Sequence, residues 1–270
     1  MPIRCFIDLG CTPREELGPE ELLSLTARWQ QAESISAQFR EKHGNIDEAK
    51  MRFRHRFTTL GGESETRELS VAELRRECEP LWLYSQHCAR CPAALERHPY
   101  SCIQSIAFPI SARAQAWLVG QLAPEGSRVF ELFMEAASRN GYGQSKTFEN
   151  WRKAGFLEGG EPAKINRAGL LITSDMVLNE LLLVGDLQPT HALGVLLHLQ
   201  ALAASDGRRG DDLLALIEKV DENASAEDAP TIDFAIAPAD DDDGSTLELK
   251  QFLFALFRAF SLQVPLAVRL

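Results

Sequence analysis

The stretch "HCARCPAALERHPYSC", residues 87 to 102, packs three cysteines and two histidines into sixteen positions. Thiol ligands act only when they converge, so such a run dictates how its own loop closes and which distant segment must meet it. The six cysteines of the chain divide by placement. Cys5 lies on the apolar side of an alternating N-terminal segment, and Cys78 shares a helical face with Val71 and Leu74; buried cysteine behaves as a small hydrophobe, so both are expected in the core. Cys11, Cys88, Cys91 and Cys102 fall in loops or at the ends of elements.

Cys88-x-x-Cys91 in a tight turn lets two thiolates approach one cation at about 2.3 Å, as tetrahedral zinc requires. Cys102 adds a third at the start of a strand. The fourth is expected to be Cys11, carried in as the first strand ends, with His98 as the alternative inside the loop. Cys11 is preferred because it joins two remote parts of the chain, which gives a metal a structural task. Zinc is the first expectation and an iron–sulfur cluster the second, since four thiolates also serve there and Cys91-Pro92 is a feature of ferredoxin runs, although the compact ferredoxin spacing is absent. Thiol redox chemistry needs a strand before the Cys-x-x-Cys and a helix after it. Here a helix-like stretch precedes it and a proline-containing loop follows.

Charge and length narrow the classes. A chain of 270 residues with 45% hydrophobic and 25% charged residues has material for a substantial core and reads as a soluble globular protein. No apolar run approaches the ~20 residues of a membrane span. "MPIRCFIDLG" lacks the apolar region and cleavage site of a signal peptide, so the expected compartment is the cytoplasm. The net charge is −11, but residues 205–245 carry thirteen acidic side chains against three basic ones, so the remainder is close to neutral. The acidity is therefore a local feature that says little about partners of the main body, and neither pI nor net charge supports a nucleic-acid one.

Periodicity gives the elements. Residues 3–8 alternate as a short strand. Gly18-Pro19 opens a long helix whose apolar stripe is Leu22, Leu25, Trp29, Ala32, Ile35 and Phe39, and Gly44 stops it. Residues 50–70 read as a hairpin turning at Gly61-Gly62. Ser70 and Glu73 have capping-box spacing, and Pro80 interrupts the helix they start. "CIQSIAFPIS" is a fourth strand. Helices are expected over 112–122, 127–140, 145–155, 175–185, 190–204, 211–222 and 246–262, with Ser111, Ser145, Ser174 and Thr190 as caps.

Four further features have plain structural readings. In "RFRHRF" strand alternation puts Arg52, Arg54 and Arg56 on the side away from Phe53 and Phe57, a solvated face paired across the hairpin with Glu63, Glu65 or Glu68 rather than a base-stacking surface. Aligning the glycine of "DDDDG" with an EF-hand places Ala239 and Lys250 where acidic ligands belong, so calcium is excluded. His191 and His198 lie two helical turns apart, too far to share an ion, and are expected to pack. The terminal segment "LKQFLFALFRAF" is a buried closing helix or, failing that, a partner-binding one. "RNGYGQSK" is a turn after a helix, and neither a GxSxG, an HExxH nor a Walker sequence occurs.

The expected fold is therefore α+β and mainly α: a small antiparallel sheet with a Cys-rich metal loop near the N-terminus, followed by a helical half. The expected domains are residues 1–123 and 124–270, the second containing a mobile acidic loop at 223–245. The expected function is a non-enzymatic binding or regulatory adaptor stabilised by metal and meeting a protein partner. The alternatives are an iron–sulfur or thiol redox protein built on the same cysteines and a nucleic-acid-binding module.

Overall fold

The computed structural model describes residues 2–58, 64–96, 99–139, 147–153, 160–182, 185–223 and 231–269. Helices dominate and the sheets are small and antiparallel, an α+β fold that is mainly α. The chain forms two compact units, one of residues 10–103 and one of residues 1–9 with 104–270. A division at 123/124 follows the change in hydrophobic period along the sequence. The contacts divide elsewhere, because β1 (Pro2–Ile7) pairs antiparallel with β10 (Leu266–Arg269), Arg4 opposite Arg269 and Ile7 opposite Leu266.

In residues 10–103 the organising element is α2 (Pro19–His43), preceded by the short α1 (Thr12–Leu17). Gly18 takes a left-handed φ of 78° between them, and the Gly44 amide donates to the Arg40 carbonyl at 2.9 Å to end α2. The apolar stripe divides its work. Leu22, Leu25 and Trp29 pack with Cys78, Leu81, Cys88 and Tyr100, while Ala32, Ile35 and Phe39 pack with Met51, Val71 and Leu74. The hairpin of β2 (Arg52–Thr58) and β3 (Ser64–Ser70) reaches this second cluster through the opposed pair Phe53 and Leu69; its Gly61-Gly62 turn lies outside the described residues. Ser70 then starts α3 (Val71–Glu77) with a complete capping box. Pro80 sits in the first turn of α4 (Glu79–Trp82), followed by α5 (Ser85–Cys88). Glu48 ties these elements together, accepting from Arg75 Nε at 2.6 Å, Arg40 Nη2 at 3.2 Å and Ser36 Oγ at 3.3 Å.

The other unit is built on a four-stranded sheet in the order β4 (Ile103–Ala107), β1, β10, β7 (Gly185–Leu187). Around it stand α6 (Ala112–Gly120), α7 (Arg128–Arg139), α8 (Thr147–Lys153), α9 (Ser174–Leu181), α10 (Pro189–His198), α11 (Gly210–Asn223) and α12 (Gly244–Ser261). The terminal helix α12 is the buried closing element: Leu249, Phe252, Leu253 and Leu256 are inaccessible, and it packs on β1, α6 and α10. None of the helices among the described residues is long and apolar enough to cross a membrane.

Several local expectations are corrected. The helix expected over 190–204 ends at His198, and Leu202–Ala204 is β8, paired with β9 (Ile232–Phe234). A hairpin of β5 (Lys164–Arg167) and β6 (Leu170–Thr173) lies within the supposed helical half. Thr173 rather than Ser174 caps α9, and Gln188 rather than Thr190 precedes α10; Ser145 is outside the described residues. The described part of the acidic segment 223–245 is not a plain loop. It contains β9, Asp242 grips the buried Lys250 ammonium at 2.7 Å, and Asp243 caps α12 through the Thr246 amide at 2.8 Å. Carboxylates placed next to a buried cation and a helix N-terminus have work to do that composition alone conceals.

Candidate functional site

All four cysteines singled out from the sequence belong to the unit of residues 10–103. Cys11 is the residue before α1, where its carbonyl accepts from the Arg14 and Glu15 amides at 3.0 Å each. Leu17 of α1 joins the cluster around Cys88, and Glu16 accepts a 2.6 Å hydrogen bond from the Tyr84 hydroxyl, so both the apolar and the polar side of α1 are fixed beside α5. Cys88 is the last residue of α5, its amide donating to the Tyr84 carbonyl at 2.9 Å. The turn continues without a break: the Cys91 amide donates to the Cys88 carbonyl at 3.2 Å and the Ala94 amide to the Cys91 carbonyl at 3.0 Å. Ser101, fully buried, closes the loop by accepting from the Leu95 and Glu96 amides and donating to the Glu96 carbonyl, all at 3.1 Å. Cys102 follows at once, just before β4.

These elements bring the four sulfurs within electrostatic reach of one another. Burial pushes the Cys88 thiol up to about 11, and the nearby Cys11 and Cys91 sulfurs raise it further. Cys102 is raised more strongly, by burial first and then by Cys91, Cys88 and Cys11. Cys11 is raised by burial, with Cys91 and Glu15 adding to the effect. Every pair among the four is thus within electrostatic reach. The Tyr100 and Arg14 backbones offset part of that rise at Cys88 and Cys11 respectively. Amide donors favour the thiolate form that a cation would bind.

The sulfurs do not stand in a closed tetrahedron. Among the described residues no three His, Cys, Asp or Glu side chains are drawn together tightly enough to hold an ion. All six cysteines are free thiols. With ionisation disfavoured, Cys11, Cys88 and Cys102 are poor nucleophiles, the reverse of the exposed, low-pKa thiolate that redox catalysis uses. A dication at their centre would invert this balance, because it deprotonates the thiols that coordinate it.

Cys5 and Cys78 are buried where expected. Cys5 is in β1, its thiol pushed up to about 12 by burial, and Cys78 Sγ donates to the Leu25 carbonyl at 3.4 Å. His98, the alternative ligand, lies outside the described residues, and His87 is exposed. Arg52 and Arg54 are exposed as expected, with Arg54 opposite Glu68 across the hairpin; the Arg56 and Phe57 side chains lie outside the described residues. His191 and His198 both serve Glu180: its carbonyl lies 3.2 Å from His191 Nε2, and its carboxylate 3.0 Å from His198 Nδ1. A cavity of about 10 Å³ beside that pair, lined by Leu122, Phe133 and Val195 among others, has room for one water at most. Sequence reasoning passed over Tyr100, whose role shows only in its backbone angle and its packing, and Glu180, whose partners are eleven and eighteen residues away. No protein-family model matches the chain, and neither the curated proteins nor the solved structures contain a match.

Proposed function

We propose that residues 10–103 form a metal-stabilised unit in which one zinc ion is held by Cys11, Cys88, Cys91 and Cys102, and that the protein works as a non-enzymatic binding or regulatory adaptor. The observation that supports this reading is that four loop thiols from two remote segments, Cys11 on one side and residues 88–102 on the other, lie within electrostatic reach of one another. The ion would fasten α1 to the loop between α5 and β4, adding to the Tyr84–Glu16 hydrogen bond and the apolar cluster around Cys88. Free thiols suit a reducing compartment, which supports the cytoplasm as its location. The exposed Arg52 and Arg54 side of the hairpin is the surface offered to a protein partner, since the terminal helix is buried and the acidic residues Asp242 and Asp243 are engaged within the fold.

Metal analysis of protein expressed in metal-replete medium tests the reading. About one equivalent of zinc per chain is expected, lost in Cys11→Ser and Cys102→Ser but kept in Cys78→Ala. Less than about a tenth of an equivalent of any transition metal overturns it. A brown protein that contains iron and sulfide and bleaches with dithionite moves the same cysteines to the iron–sulfur reading. Salt-dependent binding of RNA or DNA that disappears in Arg52→Glu/Arg54→Glu replaces the adaptor role with a nucleic-acid one.

A further inference from the structure

The hairpin of β2 and β3 has an edge that no described strand covers. Its sheet contains these strands alone, so β2 has β3 on one side and no described strand on the other. The direction of its peptide groups follows from two hydrogen bonds. The Met51 carbonyl accepts from the Val71 amide at 3.0 Å, which makes that opposed pair hydrogen-bonded and Phe53–Leu69 the next of its kind. Arg52–Ser70 and Arg54–Glu68 are then the alternate pairs, whose N–H and C=O groups point away from the facing strand. Ser70 agrees, since its amide turns outward to the Glu73 carboxylate at 2.7 Å. Arg52 and Arg54 therefore present their peptide groups at the free edge of β2.

The same residues have exposed side chains on one face of the sheet. Ser70 hydrogen bonds do most to lower the Glu73 carboxyl and the Arg52 charge contributes less, while Arg54 stands opposite Glu68. Neither guanidinium forms an ion pair among the described residues. An extended segment laid antiparallel along this edge would hydrogen-bond to Arg52 and Arg54. Its residues opposite them would put their side chains on the arginine face, with Cα atoms about 5.5 Å away. Those residues are spaced as the arginines are, about 7 Å apart along the strand. Charge selects the occupant. The β2 edge of a second copy would set arginine against arginine, which is repulsive, whereas carboxylates at alternate positions would meet both cations.

We propose that the free edge of β2 docks an extended acidic segment of a protein partner, which adds as a third strand and places Asp or Glu at alternate positions opposite Arg52 and Arg54. This assignment rests on the reading of the hairpin as the partner-binding surface, names the chemistry of the partner, and does not depend on a bound metal. In such additions main-chain bonds provide affinity and the alternate side chains provide specificity.

Fluorescence anisotropy of the full-length protein with labelled synthetic probes is the test. The probes are a short peptide alternating Glu and Val, its Lys–Val counterpart, the Glu–Val peptide N-methylated at its glutamates, and an oligouridylate of the same length. In the proposed pose the glutamate amides face β2, so methylating them removes main-chain bonds and leaves the charge. The Glu–Val peptide is expected to bind, and the methylated and Lys–Val peptides are not. Arg52→Glu/Arg54→Glu should weaken binding by at least about tenfold, because attractive cross-strand pairs turn repulsive. Arg52→Gln/Arg54→Gln, which only removes the charges, should weaken it less, with circular dichroism confirming that both variants fold. Failure of the Glu–Val peptide to bind, equal binding of the methylated or the Lys–Val peptide, or equal binding by folded Arg52→Glu/Arg54→Glu overturns strand addition and leaves the adaptor reading standing. Oligouridylate binding that is lost in Arg52→Glu/Arg54→Glu, with no peptide binding, overturns both.

Discussion

Asp175→Ala tests how residues 104–270 are held together. Arg152 of α8 gives Nε to both carboxylate oxygens of Asp175, at 3.0 and 2.8 Å, and Nη2 to Oδ1 at 2.6 Å. The same Nη2 reaches Gln115 Oε1 at 2.9 Å, which in turn accepts from Ser174 Oγ at 2.8 Å, so the pair joins α8, α9 and α6. The two side chains are only 14% and 12% exposed. Stripping this carboxylate from a buried guanidinium costs about 3–5 kcal/mol. Asp175 also lies in the first turn of α9, where a negative charge contributes roughly 0.3–1 kcal/mol more. In a unit of this size each kcal/mol moves the melting midpoint by about 2–4 °C, so the shift should be on the order of 10 °C. Arg139→Ala is the control, since its pair with Glu135 is 76% and 50% exposed and should contribute under about 0.5 kcal/mol. The double variant Arg152→Met/Asp175→Ala should recover much of the loss, because the cation that needs solvation is gone. Differential scanning calorimetry at neutral pH reads all four proteins. A midpoint for Asp175→Ala no lower than that of Arg139→Ala, or a double variant no more stable than Asp175→Ala, refutes the reasoning.

Two further outcomes follow from particular side chains. Glu248 is partly buried and its carboxylate accepts the Ala107 amide at 2.7 Å; burial raises its carboxyl above the ordinary range, so the ionised form destabilises the fold at neutral pH and the cost fades as pH falls through the raised value to the unfolded one. Glu248→Gln, which keeps an acceptor for that amide, should therefore melt higher than the unaltered protein at pH 7 and converge with it near pH 4; an unchanged difference across that range contradicts the argument. Ser70→Ala removes the hydroxyl that accepts the Glu73 amide at 3.2 Å and donates to the Glu73 carboxylate at 2.9 Å, and should cost about 1 kcal/mol in urea unfolding, with Ser70→Thr close to neutral. Equal losses in both variants would show that the cap is not what starts α3.

Elements whose cause is local were legible in the sequence. The Gly18-Pro19 start, the Gly44 stop and the six-residue apolar stripe define α2, and each stripe residue packs as its position demands. The Ser70–Glu73 box, the break at Pro80, the Phe53 side of the hairpin and the apolar placement of Cys5 and Cys78 also follow from spacing within a few residues. The sorting of cysteines into core and loop positions came from the same patterns, and Cys5 and Cys78 are buried as it requires.

Tertiary structure decided whatever depends on partners far along the chain. The strands β7, β8, β9 and β10 are three or four residues long, too short to show a period, and exist because a neighbour supplies their hydrogen bonds; β10 is a strand because β1 lies more than 250 residues away along the chain and next to it in space. The acidic segment looked like solvated charge until Lys250 and the start of α12 gave Asp242 and Asp243 their tasks. The left-handed backbone of Tyr100 likewise has no local cause. Local patterns report how a residue faces its near neighbours, whereas a site is fixed by which distant surfaces the burial of apolar area brings together.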